Sequence, residues 1–289
     1  PPRSTLFPYT TLFRSVGFLG PNGAGKSTMM KIITGFIPPT TGSVYVNGTE
    51  ISDDNPETRK IIGYLPENNP LYPEMYVREY LKFVYSLYGR TDDPGKHIGK
   101  IIDMTGLGPE QKKKIGALSK GFRQRVGIAQ ALIHDPQVLI LDEATSGLDP
   151  NQIIEIRNLI REAGREKTIM FSTHIMQEAE AVCDRIIIIN RGTIMADELK
   201  SNLHSVLGAE KQIIKAGFDR DPGSDSLLAI PGIISAENTG RGQWLIEAEG
   251  TEDIRPALFA FAVRNNLTVL SLQKEESRLE EIFRHLTGN

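Results

Sequence analysis

Hydrophobic residues form short runs that alternate with helical patterns along the first two thirds of the chain. The apolar runs have the length of buried strands and lie at residues 16–19, 61–65, 138–141, 168–171 and 186–189. Apolar residues recur at helical spacing at 151–165 and 176–183, and residues 42–48 alternate like a strand that ends in an Asn-Gly turn. Strands that alternate with helices predict an α/β domain built on a mostly parallel sheet.

A helical insertion interrupts this alternation. Helices are predicted at about residues 77–88, 96–104 and 121–133, with no strand pattern between them. We therefore predict a helical subdomain at about residues 70–135 within a larger domain that covers residues 16–209.

The pattern changes beyond about residue 209. The predicted elements are strands at 212–216, 233–236, 244–248 and 267–272, and helices near 225–230 and 253–265. Their β-α-β-β-α-β order is that of a small α+β, ferredoxin-like domain. We expect residues 210–289 to form this domain, finished by a helix at 277–286, and to serve in dimerisation or regulation without a catalytic residue.

The first 15 residues fit neither a helical nor a strand period. Residues 5–15 resemble the translated reading frame of a common short-read sequencing adaptor, and we interpret residues 1–15 as an artefact; the alternative is a divergent natural N-terminus. Phe7, Tyr9 and Phe13 therefore receive no binding role.

Composition and net charge limit the classes of protein to which this chain could belong. The chain has 289 residues, 39% of them hydrophobic, and a formal net charge of −3 with a pI near 6.0. Such a balance is ordinary for a soluble globular protein and disfavours nucleic acid as the main partner. The single cysteine, Cys183, precludes an internal disulfide, and the longest aliphatic run, 186–189, is far too short to span a membrane.

A phosphate-binding loop directly follows the first predicted strand. Residues 20–27 read Gly-Pro-Asn-Gly-Ala-Gly-Lys-Ser, a complete G-x-x-x-x-G-K-[ST] pattern. Lys26 would supply a positive charge to the β- and γ-phosphates of a nucleoside triphosphate, and the Ser27 hydroxyl would ligate Mg²⁺. The predicted nucleotide-binding residues of the loop are Gly20, Pro21, Asn22, Gly23, Ala24, Gly25, Lys26, Ser27 and Thr28.

Two later strands end in residues suited to phosphate chemistry. Asp142 and Glu143 follow the run at 138–141, at the sheet edge where ligands of open α/β sheets bind. We assign Asp142 to the metal and Glu143 as general base for attack on the γ-phosphate. His174 follows the strand at 168–171, where its ring could reach the γ-phosphate or Glu143.

Together these segments resemble the ATP-binding subunit of an ABC transporter. Residues 20–28 match the family's Walker A motif, 118–125 its signature, 138–143 Walker B, 146–149 the D-loop, and His174 the switch histidine. The resemblance implies a P-loop ATPase that binds ATP and Mg²⁺ and pairs head to tail with a second ATP-binding subunit, so that Ser119 and Gly121 contact a γ-phosphate held by that partner. It also implies an integral-membrane permease partner and a cytoplasmic location, peripheral on the inner face of the membrane.

The sequence departs from the family pattern at two places. Lys120 and Phe122 replace a glycine and a glutamine in the signature, and Glu67 stands where glutamine is common, although its oxygen can still coordinate Mg²⁺. Residues 63–72, 120–125 and 279–286 resemble most the gliding-motility-associated (GldA) type among exporter ATPases. Two alternatives stay open at this stage: a soluble ATPase switch of the same superfamily, and a chain inactive through loss of its N-terminus.

Overall fold

The computed structural model describes residues 15–52, 56–90, 92–205, 211–240, 242–250 and 253–275. These residues belong to two compact units, one ending at Lys200 and the other beginning at Ser201. No helix in these ranges has the length and apolar character to cross a membrane.

A six-stranded sheet organises the first unit. Its strands are β1 (Ser15–Leu19), β4 (Ile62–Leu65), β5 (Val138–Asp142), β6 (Thr168–Thr173), β7 (Arg185–Asn190) and β8 (Thr193–Leu199). The strand order is β4-β5-β6-β1-β7-β8, and every pair is parallel except β7 with β8. The predicted mostly parallel sheet is thus confirmed, and it brings the carboxyl ends of β1, β5 and β6 to one edge.

Strand β8 was not predicted from the sequence. It pairs antiparallel with β7 across a tight turn in which Arg191 and Gly192 have φ of 48° and 77°. As an edge strand it is mostly exposed, so its side chains lack the continuous apolar run that marks the buried strands.

Helices cover both faces of this sheet. The helices of this unit are α1 (Lys26–Ile33), α2 (Val77–Ser86), α3 (Pro94–Met104), α4 (Lys120–Leu132), α5 (Pro150–Ala163) and α6 (Met176–Val182). Of these, α2 and α3 pack on each other and on α4. Alternate residues of β5 explain the two layers: Ile140 lies in one apolar cluster with Met30 of α1, and Leu141 lies in the other with Ile160 of α5. Each fully buried aliphatic side chain of this kind stabilises the fold by about 1.5–3 kcal/mol.

The predicted strand at residues 42–48 is shorter than expected. It is a small hairpin of β2 (Tyr45–Val46) and β3 (Thr49–Glu50). Asn47 and Gly48 form its turn with φ of 50° and 76°, the left-handed pair that an Asn-Gly turn requires. The predicted turn is therefore confirmed, whereas the predicted extent of the strand is wrong.

The second unit has the predicted ferredoxin-like topology. Its elements are β9 (Lys211–Phe218), α7 (Ser224–Leu228), β10 (Ile233–Gly240), β11 (Gln243–Glu249), α8 (Arg255–Arg264) and β12 (Val269–Glu275). The antiparallel sheet has the order β10-β11-β9-β12 and an apolar core that includes Phe218, Trp244 and Leu258. The helix predicted at 277–286 lies outside the described residues.

The first strand begins within the segment that we assigned to an artefact. Ser15 belongs to β1, pairs with Ile169 and donates a hydrogen bond from Oγ to Asp184 Oδ2 at 2.7 Å. Residues 1–14 lie outside the described ranges, so for them the interpretation stays a prediction.

Candidate active site

The phosphate loop lies between β1 and α1, as the sequence predicts. Gly23 and Gly25 have φ of 79° and 104°, conformations that favour glycine, and Gly25 is the N-cap of α1. Gly20 fits for a different reason: a Cβ there would lie 2.5 Å from the carbonyl oxygen of Ile189. The glycines thus allow both the turn and the close packing of the loop on β7.

Backbone hydrogen bonds fix the shape of this loop. Ala24 N donates to Pro21 O at 3.1 Å, and Gly192 N, in the turn between β7 and β8, donates to Ala24 O at 2.9 Å. Gly20 N donates to Thr173 O at 3.4 Å, which connects the loop to the end of β6. The first N–H groups of α1 have no partner inside the helix, and together with the helix dipole they suit an anion.

Lys26 is buried beneath the loop. Its side chain is 6% exposed, and Nζ donates to the carbonyl oxygens of Gly20 at 2.8 Å and Pro21 at 3.2 Å. The same amine lies 3.4 Å from Glu143 Oε1. A buried lysine needs such partners, because an unpaired ammonium in this setting would be costly.

Glu143 follows β5 in a backbone conformation that is rare for its residue type. Its φ is 51°, in the left-handed region, which costs on the order of 1–3 kcal/mol. Its N–H donates to both the carbonyl oxygen and Oγ of Ser172, at 3.2 and 3.1 Å. These bonds hold the strained residue against β6.

His174 completes the cluster from the end of β6. Its Nδ1 lies 2.9 Å from Glu143 Oε2 and 3.2 Å from Oε1, and its side chain is 39% exposed. The structure therefore brings Lys26, Glu143 and His174 together in one row. In this row Lys26 is a cation that can bind phosphate, Glu143 is a carboxylate that can accept a proton, and His174 is an imidazole that can hold this carboxylate in place.

Three predicted metal ligands supply only oxygen atoms. Asp142 is buried and accepts a hydrogen bond from Ser172 Oγ at 2.5 Å, Ser27 is the second residue of α1, and Glu67 is exposed beyond β4. Burial raises the pKa of Tyr64, in β4, to about 12, and the charges of Asp142 and Glu67 add to the shift. Carboxylate and hydroxyl oxygens are the ligands that Mg²⁺ prefers, and the donor set fits it.

Ser119 and Gly121 lie in a different element from the phosphate loop. Ser119 caps α4, where its Oγ accepts a hydrogen bond from Phe122 N at 3.3 Å. Gly121 packs against α5, since a Cβ there would lie 2.7 Å from Gln152 Cδ. The Lys120 amine lies where a Cβ at Gly147 would be, so the start of α4 and residues 146–149 are neighbours.

A group of buried polar residues near Lys26, Glu143 and His174 was not predicted from the sequence. Thr145, Ser172, Thr173 and Glu178 are each no more than 3% exposed. The available signal was weak: a glutamate lies between the apolar positions Met176, Ala179 and Val182 of α6, which the structure shows to be buried.

Comparison with known proteins agrees with this geometry. The family model described as "ABC transporter" matches residues 12–146. The linearmycin resistance ATP-binding protein LnrL of Bacillus subtilis is 34% identical over 284 residues, which cover 95% of this chain and 89% of LnrL. The ABC transporter ATP-binding protein NatA of Bacillus subtilis is 39% identical over 185 residues, 62% of this chain and 74% of NatA.

Solved structures show the same fold. An ATP-binding subunit of an ABC transporter is 31% identical with a TM-score of 0.60, over 68% of this chain and 82% of that one. The ATP-binding cassette MJ0796, solved as a dimer in a post-hydrolysis state with ADP and Pi, is 28% identical with a TM-score of 0.59, over 64% and 85% of the two chains.

Proposed function

The chain belongs to the ATP-binding subunits of ABC transporters and is an ATPase, and from this premise we propose that it drives a separate integral-membrane permease. In this proposal it works as a peripheral subunit on the cytoplasmic face of the cell membrane. The observation that carries the proposal is the row formed by Lys26, Glu143 and His174.

Each member of this row has a proposed role in hydrolysis. The phosphates of ATP bind the N–H groups of the loop and compete with Glu143 for the Lys26 ammonium. Glu143 then accepts a proton from the water that attacks the γ-phosphorus, and the bond between that phosphorus and the bridging oxygen breaks, which releases ADP and phosphate. His174 holds the Glu143 carboxylate through Nδ1 and stands beside the transferred group.

Mg²⁺ is the proposed metal, with Ser27, Asp142 and Glu67 as its protein ligands. When bound, it would neutralise charge on the β- and γ-phosphates. Ser172 orients Asp142 through its hydroxyl and binds the Glu143 N–H with the same oxygen, so one side chain aligns both carboxylate residues.

A second ATP-binding subunit is proposed to complete the site. Ser119 and Gly121 lie at the N-terminus of the 13-residue helix α4, a position that suits an anion from another molecule. The dimeric MJ0796 cassette supports this arrangement. Whether the second subunit is a copy of this chain is open to direct measurement of the assembled complex.

An exporter-type permease of the gliding-motility-associated type is the proposed partner. The helical insertion exposes Tyr72 and Phe83 by 53% and 39%, and their ring centroids lie 6.0 Å apart, so they form one exposed aromatic patch that a protein partner could cover. The name of LnrL assigns that relative to linearmycin resistance, a role compatible with export. The subgroup itself is supported only by the motif residues quoted above.

Replacement of Glu143 by glutamine tests the proposed chemistry. The Glu143→Gln variant keeps the size of the side chain but removes the base, so we expect kcat for ATP hydrolysis to fall by about 100-fold or more while ATP still binds. Glu162→Gln, on the exposed side of α5, is the matched control and should hydrolyse ATP like the parent. Equal rates for Glu143→Gln and the parent would disprove the assignment.

Purification from membranes tests the proposed partner. The full chain, recovered with mild detergent from its own cell membranes, should bring an integral-membrane protein with it. Recovery without any such protein would favour the soluble ATPase switch instead.

A further inference from the structure

The structure assigns a positioning role to Glu178, a buried residue of α6 that belongs to none of the family motifs identified in the sequence. Glu178 is 2% exposed, so its carboxylate requires hydrogen-bond donors from the protein. We propose that Glu178 fixes the loops that carry Glu143 and His174 relative to each other. The inference rests on the proposed catalytic roles of those two residues.

Two hydroxyl groups meet at one oxygen of Glu178. Thr145 Oγ1 donates to Oε2 at 2.5 Å and Thr173 Oγ1 donates to the same atom at 2.9 Å. Thr145 lies two residues after Glu143, and Thr173 directly precedes His174. The carboxylate therefore joins the segment after β5 to the end of β6 at the level of the catalytic row.

The backbone around Thr173 extends this connection to the phosphate loop. Thr173 Oγ1 accepts a hydrogen bond from Ile175 N at 3.0 Å, which shapes the chain on either side of His174. The carbonyl oxygen of Thr173 accepts from Gly20 N. Movement of Thr173 would thus displace His174, whereas the phosphate loop keeps the hydrogen bonds that join Ala24 to Pro21 and to Gly192. Displacements of about 1 Å at catalytic groups can cost 100-fold in rate.

The steady-state kinetics of matched variants of the full chain test this role. Glu178→Ala removes the acceptor, and we expect kcat for ATP hydrolysis to fall by about 10- to 100-fold while KM changes less than about threefold, because alignment rather than nucleotide binding is lost. Glu178→Gln retains an oxygen that can accept both hydroxyl donors and should restore kcat to within about threefold of the parent. Glu180→Ala, on the same helix, is the control and should behave like the parent.

The threonines give a second, independent test. Thr145→Val and Thr173→Val keep the shape of each side chain but remove the donor, and each should lower kcat in the same direction. Combined with Glu178→Ala they should add little further loss, because both changes break one connection. The proposal would be overturned if the losses in kcat of the single variants multiplied in the combined variants. An unchanged kcat in Glu178→Ala would also overturn it, as would a loss of kcat in Glu178→Gln equal to that in Glu178→Ala.

If Glu178→Ala fails to fold, the two valine variants decide the question alone: parental kcat in both would overturn the proposal. The experiments distinguish failure of the role proposed for Glu178 from failure of the proposed function. Parental hydrolysis together with an inactive Glu143→Gln variant upholds the function whatever the Glu178 variants do. Absence of hydrolysis in the parent would contradict the function itself.

Discussion

At the scale of single residues, the candidate site contains some side chains that belong to recognisable sequence motifs and others that belong to none. Lys26 follows from the phosphate-loop pattern and Glu143 from an acidic pair at the end of a buried strand, whereas the role predicted for His174 came from the resemblance to ABC ATP-binding subunits. Ser172 and Glu178 could not be predicted from the sequence, since a serine or a glutamate in a helical or strand pattern is ordinarily a surface residue. Only burial and hydrogen bonding distinguish them.

A buried histidine gives a residue-scale prediction about pH. His134 stacks on Tyr88 with 4.1 Å between ring centroids, and burial lowers its pKa from 6.5 to about 4, with the charges of Lys167 and Arg90 adding to the shift. Since the unfolded chain takes up this proton first, His134 contributes stability above about pH 6.5 that is lost as the pH falls towards 4. The loss is on the order of 3 kcal/mol.

Urea unfolding at pH 7.5 and pH 4.5 measures this effect. The His134→Gln variant should be less stable than the parent at pH 7.5, because the stacked ring is lost. Its free energy of unfolding should nevertheless fall less between the two pH values. An equal fall in parent and variant would contradict the lowered pKa of His134.

At the scale of elements, the hydrophobic pattern predicted the buried strands of the six-stranded sheet and failed at its exposed edge strand, β8. The strands β5, β6 and β7 are continuous apolar runs, and all three were identified. The edge strand β8 has neither a continuous apolar run nor a regular alternation of apolar and polar residues, so its sequence does not predict a strand. The observed helix ends differ from the predicted ones by one or two residues. Capping residues such as Asp149 and Ser119 determine where a helix begins, whereas hydrophobic periodicity locates only its middle.

The contact between β4 and α4 yields an element-scale prediction. Gly63 lies in β4 where a Cβ would overlap the carbonyl oxygen of Ala131 in α4 and approach Pro136 Cγ to 2.9 Å. Gly63→Ala must push the helix from the strand, and we expect it to lower the free energy of unfolding by about 1–3 kcal/mol. Thermal or urea unfolding measures the change.

Gly99 provides the matched control within α3. Apart from its chain neighbours and the backbone of its own helix, no atom of the described residues lies within 4 Å of the position that its Cβ would occupy. Gly99→Ala should therefore stabilise the protein by about 0.5–1 kcal/mol through helix propensity. Similar effects of the two substitutions would show that contact with Ala131 does not limit the approach of α4 to β4.

At the scale of the whole molecule, the two units have separate cores, and the chain carries a natural probe of one of them. Its single tryptophan, Trp244, is 3% exposed within the core of the second unit. The proposed nucleotide site, with Lys26 and Glu143, belongs to the first unit. Tryptophan fluorescence therefore follows the unfolding of the second unit, whereas far-ultraviolet circular dichroism is weighted towards the helices of the first.

Nucleotide should change these two signals differently. For the Glu143→Gln variant, ATP at about 100 times its Kd should stabilise the first unit by about 2.7 kcal/mol and raise the midpoint of the dichroism transition. The fluorescence midpoint should stay in place. A fluorescence midpoint that rises with the dichroism midpoint would show that the units unfold together.

The hydrogen bonds around Ala24 bear on how nucleotide binding is driven. Because Pro21 and Gly192 hold the loop before any phosphate arrives, its backbone entropy is lost when the chain folds, at about 1–2 kcal/mol for each fixed residue. The association step is then free of that ordering cost, and more of the gross attraction between loop and phosphate remains as affinity. The turn between β7 and β8, which lies beside the loop, thereby contributes to the affinity of the loop for nucleotide.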